Sequence, residues 1–227
     1  MLKLYIGNKN YSSWSMRPWV LLKQAGIPFE EVVVRFDSFE ADSQFKRTLA
    51  DLSPTGQVPL LLDDEFAVWD TLAIAEYLAE KFPAKKLWPE DAKTRARARS
   101  VCAEMHSGFA ALRQAFPMNI EASLPQVGAL ALRDNAAARA DLLRLTSMWR
   151  ELLSIYGKPF LFGDFSIADA YFAPAVMRIK SYALPMPTMV AAYIERLSEL
   201  PGVQAWVEGA LAEQDFLEFA EPFRISR

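Results

Sequence analysis

Three serines lie within four residues near the beginning of the chain, at Ser12, Ser13 and Ser15. A short alternating apolar run precedes them and stops at Gly7. Pro18 and an apolar stretch follow, so the pattern predicts a strand leading into a helix with Pro18 near its first turn. The first backbone N–H groups of a helix have no intrahelical partner, and hydroxyls beside them can hold an anion. The spacing therefore predicts an anion site at a strand–helix corner.

An alternative interpretation is that these serines only cap the helix. A serine at the first boundary position commonly accepts a hydrogen bond from a backbone N–H one turn further on. Both interpretations place the serines at the same corner. They differ in whether the hydroxyls are free to contact a ligand, and the segments that follow in the chain favour a ligand site.

Composition narrows the class of protein. The chain has 227 residues, 52% of them hydrophobic, which suits two small domains with a sizeable core. A formal net charge of −3 leaves no basic surplus for nucleic acid. The single cysteine, Cys102, cannot form an internal disulfide, and we find neither a secretory signal pattern nor the ~18 apolar residues of a membrane span. We expect a cytoplasmic protein that does not enter the membrane.

The first third of the chain predicts a small mixed sheet. A strand, a helix and a second strand at residues 29–35 form a βαβ unit with parallel strands. A polar helix at residues 42–52 ends in four turn-forming residues, and a hairpin follows. Asp70 and Thr71 then cap a helix that runs to residue 82. The predicted order is βαβ-α-ββα.

The rest of the chain predicts helices only. Residues 83–90 contain two prolines and no periodicity, which is typical of a linker. The pattern then predicts helices at residues 91–116, 135–156, 167–182, 188–200 and 203–214. Ser166 and Asp169 form a predicted capping box at the start of the third of these. The expected division is residues 1–82, a linker at 83–90, and residues 91–227.

Taken together, these features resemble the cytosolic glutathione transferases over nearly the whole chain. Four segments carry the resemblance: Ser12-Ser13-Trp14-Ser15-Met16-Arg17, Gln57-Val58-Pro59, Asp70-Thr71-Leu72-Ala73-Ile74 and Ser166-Ile167-Ala168-Asp169. The resemblance implies an α/β thioredoxin-like N-terminal domain and an all-α C-terminal domain. It also implies glutathione as co-substrate, a small hydrophobic electrophile, no metal, and a homodimer.

The resemblance assigns roles to the matching residues. Ser12 would contact the glutathione sulfur, with Ser13 and Ser15 as rivals. Pro59 matches the family's cis proline, and Val58 before it would pair its backbone with the cysteinyl part of glutathione, with Gln57 beside it.

The γ-glutamyl end of glutathione and the electrophile have their own candidates. Asp70 would take the α-ammonium and Thr71 the α-carboxylate at a helix N-terminus. Trp14 and three apolar residues of the long helix would line the electrophile pocket: Met105, Phe109 and Leu112.

The serine motif is most similar to the zeta class, with two departures. The zeta pattern has a cysteine where this chain has Trp14 and an arginine where a rough alignment gives Ser181; Arg178 and Lys180 lie nearby but out of register. The tau class matches about as loosely. A glutathione transferase is our first hypothesis. A non-catalytic relative that binds or regulates, and a zeta-type isomerase, are the alternatives.

Cys102 and His106 lie four residues apart, which is a spacing of metal ligands on a helix. Two ligands do not make a zinc site, and the sequence has no other histidine. The pattern favours packing or a place in the second-substrate pocket over metal binding. A cysteine-based redox enzyme would need a cysteine at the serine corner, and there is none.

Overall fold

The N-terminal part forms a four-stranded mixed sheet in the computed structural model, which describes residues 1–157 and 159–227. The strands are β1 (Leu2–Ile6), β2 (Glu30–Val33), β3 (Leu60–Asp63) and β4 (Phe66–Trp69). The order across the sheet is β2-β1-β3-β4, with β1 parallel to β2 and the other neighbours antiparallel. The predicted βαβ unit and hairpin are both confirmed.

Three helices complete the thioredoxin-like part: α1 (Ser13–Gln24), α2 (Gln44–Leu49) and α3 (Thr71–Lys81). The element order βαβ-α-ββα is as predicted. Helix α2 is shorter than predicted because Ser43 caps its start, accepting from the Lys46 N–H, and its last turns become irregular. Pro18 lies in the middle of α1, not in its first turn as predicted, because the helix already begins at Ser13.

The C-terminal part is all-helical, as predicted. A short 3₁₀ turn at Pro83–Lys85 leads into it. Its helices are α4 (Ala92–Ser107), α5 (Ala110–Ala115), α6 (Pro125–Asp134), α7 (Ala136–Tyr156), α8 (Ile167–Ser181), α9 (Thr188–Ser198) and α10 (Pro201–Glu213). The Ser166–Asp169 capping box at the start of α8 is present.

Two predictions about these helices were wrong. The single helix at residues 91–116 is divided into α4 and α5 at Gly108 and Phe109, where Phe109 has a left-handed φ of 54°. Helix α6 was not predicted at all. It packs so closely on the end of α8 that a Cβ at Gly128 would meet the carbonyl oxygen of Tyr182. Tertiary packing, which periodicity does not report, decides both features.

One hydrophobic core joins the two parts. Helix α1 packs against α8 and α10, and its buried side Met16, Val20 and Leu21 belongs to the same cluster as most of α8. This contact holds the β1–α1 corner against the helical part of the protein. None of the helices in the described residues is both long and apolar enough to span a membrane.

Candidate active site

Two adjoining cavities open beside the β1–α1 corner. The larger, about 620 Å³, has this lining: Tyr11, Ser12, Ser13, Trp14, Phe36, Phe39, Phe45, Lys46, Gln57, Val58, Arg113, Pro117, Met118, Arg178, Phe219 and Ala220. The smaller, about 240 Å³, has this lining: Trp14, Thr55, Gln57, Val58, Pro59, Trp69, Asp70, Thr71 and His106. Trp14, Gln57 and Val58 belong to both cavities. The fold thus brings together predicted residues from three separate segments.

The three serines have different surroundings. The Ser12 hydroxyl makes no cap bond to the helix and instead donates to the Ser15 oxygen at 2.7 Å. The same Ser15 oxygen accepts the Gly7 backbone N–H at 3.2 Å. Ser15 is completely buried, so its hydroxyl does not face either cavity. Ser13 lies on the cavity wall, and its hydroxyl oxygen accepts from Arg178 Nη2 at 3.2 Å.

The segment before β3 forms the wall opposite the serines. The Val58–Pro59 peptide bond is cis, as the resemblance implied. Val58 lies two residues before the first paired residue of β3, Leu60, so its backbone is outside the sheet ladder. Gln57 is exposed at the boundary of the two cavities.

Asp70 is the boundary residue of α3. Its Oδ1 accepts the backbone N–H groups of Leu72 and Ala73 at 2.8 and 3.3 Å, so the predicted cap is confirmed. Its Oδ2 faces His106 Nε2 at 3.3 Å. The Thr71 hydroxyl is bonded to the Tyr171 hydroxyl at 2.8 Å and the residue is 2% exposed. What Thr71 offers at the helix N-terminus is therefore its backbone N–H.

His106 belongs to the smaller cavity. Its Nδ1 is bonded to the Tyr171 hydroxyl at 2.7 Å, and the Trp14 ring packs edge-on against it with centroids 5.2 Å apart. The sequence favoured packing or a place in the second-substrate pocket for this histidine, whereas the structure places it in the smaller cavity, beside Asp70. Cys102, which lies four residues before His106 in the sequence, is fully buried in the core, where burial raises the pKa of its thiol.

Three arginines lie near the serine corner and were not predicted as site residues: Arg17 and Arg113 at Trp14, and Arg178 at Ser13. Arg17 is 3% exposed, and its guanidinium carbon lies 4.1 Å from the ring centres of both Trp14 and Tyr171. Arg113 lies over Trp14 at 5.5 Å, with its Nη1 donating to the carbonyls that end α4. Arg178 reaches the corner from α8. Burial lowers the pKa of Arg17 to about 10 and that of Arg178 to about 9.

An aromatic wall closes the larger cavity. Phe36, Phe39 and Phe45 pack edge to face, with centroids 5.1 to 6.1 Å apart. Phe219 from the C-terminal segment packs on Phe39 at 5.3 Å. A Cβ at Gly7 would overlap the Phe36 ring, so only glycine leaves room for this wall beside β1.

Three residues predicted for the electrophile pocket lie elsewhere. Met105, Phe109 and Leu112 are 0%, 5% and 1% exposed and belong to the hydrophobic core, and none lines either cavity. The break between α4 and α5 turns this segment, so that Arg113 and Met118 face the cavity instead. Trp14, the fourth predicted residue, does line both cavities.

A thioredoxin-like domain with a serine corner, a cis proline and an acidic helix cap at one cleft, joined to a helical domain, defines a class of glutathione-using proteins. The model of the glutathione S-transferase N-terminal domain matches residues 11–81, and that of the C-terminal domain matches residues 95–209. The chain belongs to the glutathione S-transferase family, and glutathione transferase is the enzyme activity that this membership supports.

Individual relatives agree with this assignment. The chain is 30% identical over 213 residues to glutathione S-transferase Z1 of Arabidopsis thaliana, covering 86% of this chain and 89% of the relative. It is 30% identical over 192 residues to maleylacetoacetate isomerase of Rattus norvegicus, covering 82% and 83%. A glutathione transferase homolog from Burkholderia, solved with bound glutathione, is 31% identical with a TM-score of 0.69, covering 93% and 98%.

Proposed function

We propose that the chain binds glutathione across the smaller cavity, ionises its thiol beside Ser12, and directs the thiolate at a hydrophobic electrophile in the larger cavity. The observation that carries this proposal is the shared boundary of the two cavities. Trp14, Gln57 and Val58 line both, and the Ser12 hydroxyl opens on the larger one beside them. A sulfur atom held at Val58 would therefore face the second cavity.

Each part of glutathione has a partner in this arrangement. The free backbone of Val58 pairs with the cysteinyl peptide. The Asp70 carboxylate, whose side chain is 41% exposed, takes the α-ammonium. The α-carboxylate lies at the N-terminus of α3, near the Thr71 backbone N–H, where the helix dipole favours negative charge. Lys46, held by the Gly56 carbonyl at 2.9 Å, lies on the Gln57 side and suits the glycyl carboxylate.

The serines form a short hydrogen-bond chain that can stabilise a thiolate. Hydroxyl hydrogens rotate, so when a thiolate is present Ser15 can donate to Ser12 and Ser12 to sulfur. The Gly7 N–H stays on the Ser15 oxygen and polarises this chain, which strengthens the final bond. The thiol proton leaves to solvent, the sulfur forms a bond to the electrophilic carbon, and the leaving group departs with its electron pair.

The proposal also covers the domain division and the assembly. Residues 1–82 form the glutathione-binding domain, 83–90 the linker and 91–227 the helical domain. The protein acts in the cytoplasm, in detoxification, as a homodimer. Arg97 and Arg99 of α4 pair with Glu151 and Glu76 of the same chain, so these two ion pairs give no support for a partner subunit. The homodimer is supported by Phe66, which is 62% exposed on the edge strand β4.

Calorimetry with glutathione, followed by steady-state conjugation of a chlorodinitrobenzene, tests the function. We expect binding in the micromolar-to-millimolar range and measurable turnover. The variant Asp70→Asn should bind glutathione at least about tenfold more weakly, because a charged hydrogen bond to the ammonium is lost. The matched control Asp51→Asn changes an exposed acid of the same domain and should bind normally. No heat and no competition at ~10 mM glutathione would contradict the proposal.

A zeta-type isomerase is the second candidate. Two observations favour it: the 30% identity to the rat maleylacetoacetate isomerase, and the presence of Arg178 at the corner, one helical turn before the aligned position Ser181. The Ser181 hydroxyl is hydrogen-bonded to the Asn119 and Met177 carbonyls. We expect maleylacetone to be turned over more slowly than the best conjugation substrate, since Trp14 replaces the zeta cysteine. Turnover of maleylacetone as fast as that of the best conjugation substrate would show that Trp14 does not hinder isomerisation.

A further inference from the structure

The charged side chains that line the larger cavity are all positive. Its lining includes three cations, Lys46, Arg113 and Arg178, and no aspartate or glutamate. Neither arginine forms an ion pair with a carboxylate within residues 1–157 and 159–227. Glu221 of the C-terminal segment is already bound by Tyr11, Asn119 and Arg224. Among the described residues, Arg113 and Arg178 therefore have no carboxylate counterion.

Arg178 is the most deeply buried of these cations, so its desolvation costs the folded protein the most free energy. It is 6% exposed, and its three nitrogens meet only neutral oxygens: Nε the Phe116 carbonyl at 2.8 Å, Nη1 the Pro174 carbonyl at 3.4 Å and Nη2 the Ser13 hydroxyl. Burial together with the charges of Arg17 and Arg113 lowers its pKa. A buried charge without a counterion is destabilising, and an anion bound beside it relieves that cost.

Arg113 lines the same cavity, and its charge contributes to the lowered pKa of Arg178. Its Nη1 is used by the Met105 and His106 carbonyls, and Nε and Nη2 have no hydrogen-bond partner among the described residues. A guanidinium with free N–H groups matches the two oxygens of a carboxylate. The glutathione carboxylates do not fill this role in our placement, because one lies at α3 and the other beside Lys46.

The remaining surface of the cavity is aromatic and apolar. Phe36, Phe39, Phe45 and Phe219 line it together with Pro117 and Met118. Phe39 and Phe219 pack on each other and are still 58% and 49% exposed, so together they present apolar surface to water. A flat ring would cover them and remove this apolar surface from water.

We propose that the second substrate is an aromatic electrophile that carries a carboxylate, held by Arg113 and Arg178 while the phenylalanines pack its ring. This inference rests on the proposed function. In a chloroarene of this class, the glutathione sulfur bonds to the ring carbon that bears chlorine, the C–Cl bond breaks, and chloride leaves with the electron pair. The carboxylate is unchanged and serves only to bind and orient the ring.

Two matched substrates test the inference: 4-chloro-3-nitrobenzoate and its neutral amide, 4-chloro-3-nitrobenzamide. Each kcat/KM is divided by the rate constant of the uncatalysed reaction with glutathione, which removes the difference in ring reactivity. We expect the carboxylate to be preferred by at least about tenfold. Arg178→Met and Arg113→Gln should each reduce that preference at least about fivefold, with the amide changed less than about twofold. Lys180→Gln removes an exposed charge on the same helix and should leave both substrates unchanged.

The outcomes are separable. Turnover of the amide as fast as the carboxylate by the unaltered protein would overturn this inference and leave the proposed function standing. An equal loss with both substrates in Arg178→Met, with a raised thiol pKa, would also overturn it, since the arginine would then serve the thiolate. No turnover of either substrate by a protein that does conjugate a chlorodinitrobenzene would also overturn this inference. No turnover of all three despite glutathione binding would refute the proposed function itself. If Arg178→Met does not fold, as judged by circular dichroism, Arg113→Gln and the unaltered protein decide the matter.

Discussion

Replacing Ser12 with alanine tests the core of the proposed chemistry. The Ser12 hydroxyl makes no cap bond, so its loss does not remove a partner from the helix backbone. A hydrogen bond to a charged acceptor contributes about 1.5–3 kcal/mol, and each pKa unit corresponds to about 1.4 kcal/mol. Ser12→Ala should therefore raise the pKa of bound glutathione by about 1–2 units, from near 6–7 towards the ~8.5 of a free thiol.

The affinity for glutathione should change little, because its two ends are held at Asp70, α3 and the Gln57 side of the cleft. Ultraviolet titration of the thiolate gives the pKa, and calorimetry gives the affinity. Ser15→Ala should raise the pKa by a smaller amount, a few tenths of a unit, because it removes only the polarising bond behind Ser12. Ser100→Ala changes an exposed serine of α4 and serves as the control.

The rival serine makes this experiment decisive. Ser13 also lines the larger cavity, and its hydroxyl oxygen is occupied by Arg178. If Ser13→Ala moves the thiol titration and Ser12→Ala leaves it in place, the assignment of Ser12 is wrong and the hydrogen-bond chain through Ser15 has no role in ionising glutathione.

Three further predictions concern the scaffold. Gly128→Ala should lower the free energy of unfolding by about 1–3 kcal/mol in urea, because its Cβ meets the rigid Tyr182 backbone; an unchanged midpoint would contradict the packing described here. Met105→Ala should cost about 2–5 kcal/mol of stability, and a large rise in electrophile KM in a stable variant would return Met105 to the pocket. Burial raises the pKa of Asp169 from 3.8 to about 6, so the folded state keeps a proton that the unfolded state has lost. The free energy of unfolding therefore includes a contribution from this proton that is fully present below about pH 4 and decreases by about 3 kcal/mol as the pH rises to 6. Denaturation curves of Asp169→Asn recorded across that range should not show this decrease.

Local patterns predicted much of the fold. The alternation of β1, the turn residues after the helix at 42–52 and the cap at Asp70 each depend on neighbours in the sequence, and the sheet, the hairpin and α3 followed from them. The boundary between α4 and α5 did not, because residues 91–116 have helical periodicity on both sides of Gly108. Helix α6 depends on the close fit of Gly128 to α8, which is a contact between distant residues.

The sequence by itself predicted the serine corner and the acidic cap of α3, since each is a short motif whose geometry depends on adjacent residues. The four segments together indicated the family, and the cis proline before β3 was implied by that resemblance. Only the tertiary structure decided which groups surround them. Arg178 reaches Ser13 from 165 residues further along the chain, and Tyr171 takes up the Thr71 hydroxyl from 100 residues away. These contacts form because α8 packs against the N-terminal part of the protein, chiefly against α1. That packing depends on the complementary shapes of two buried helix faces, which neither periodicity nor spacing describes.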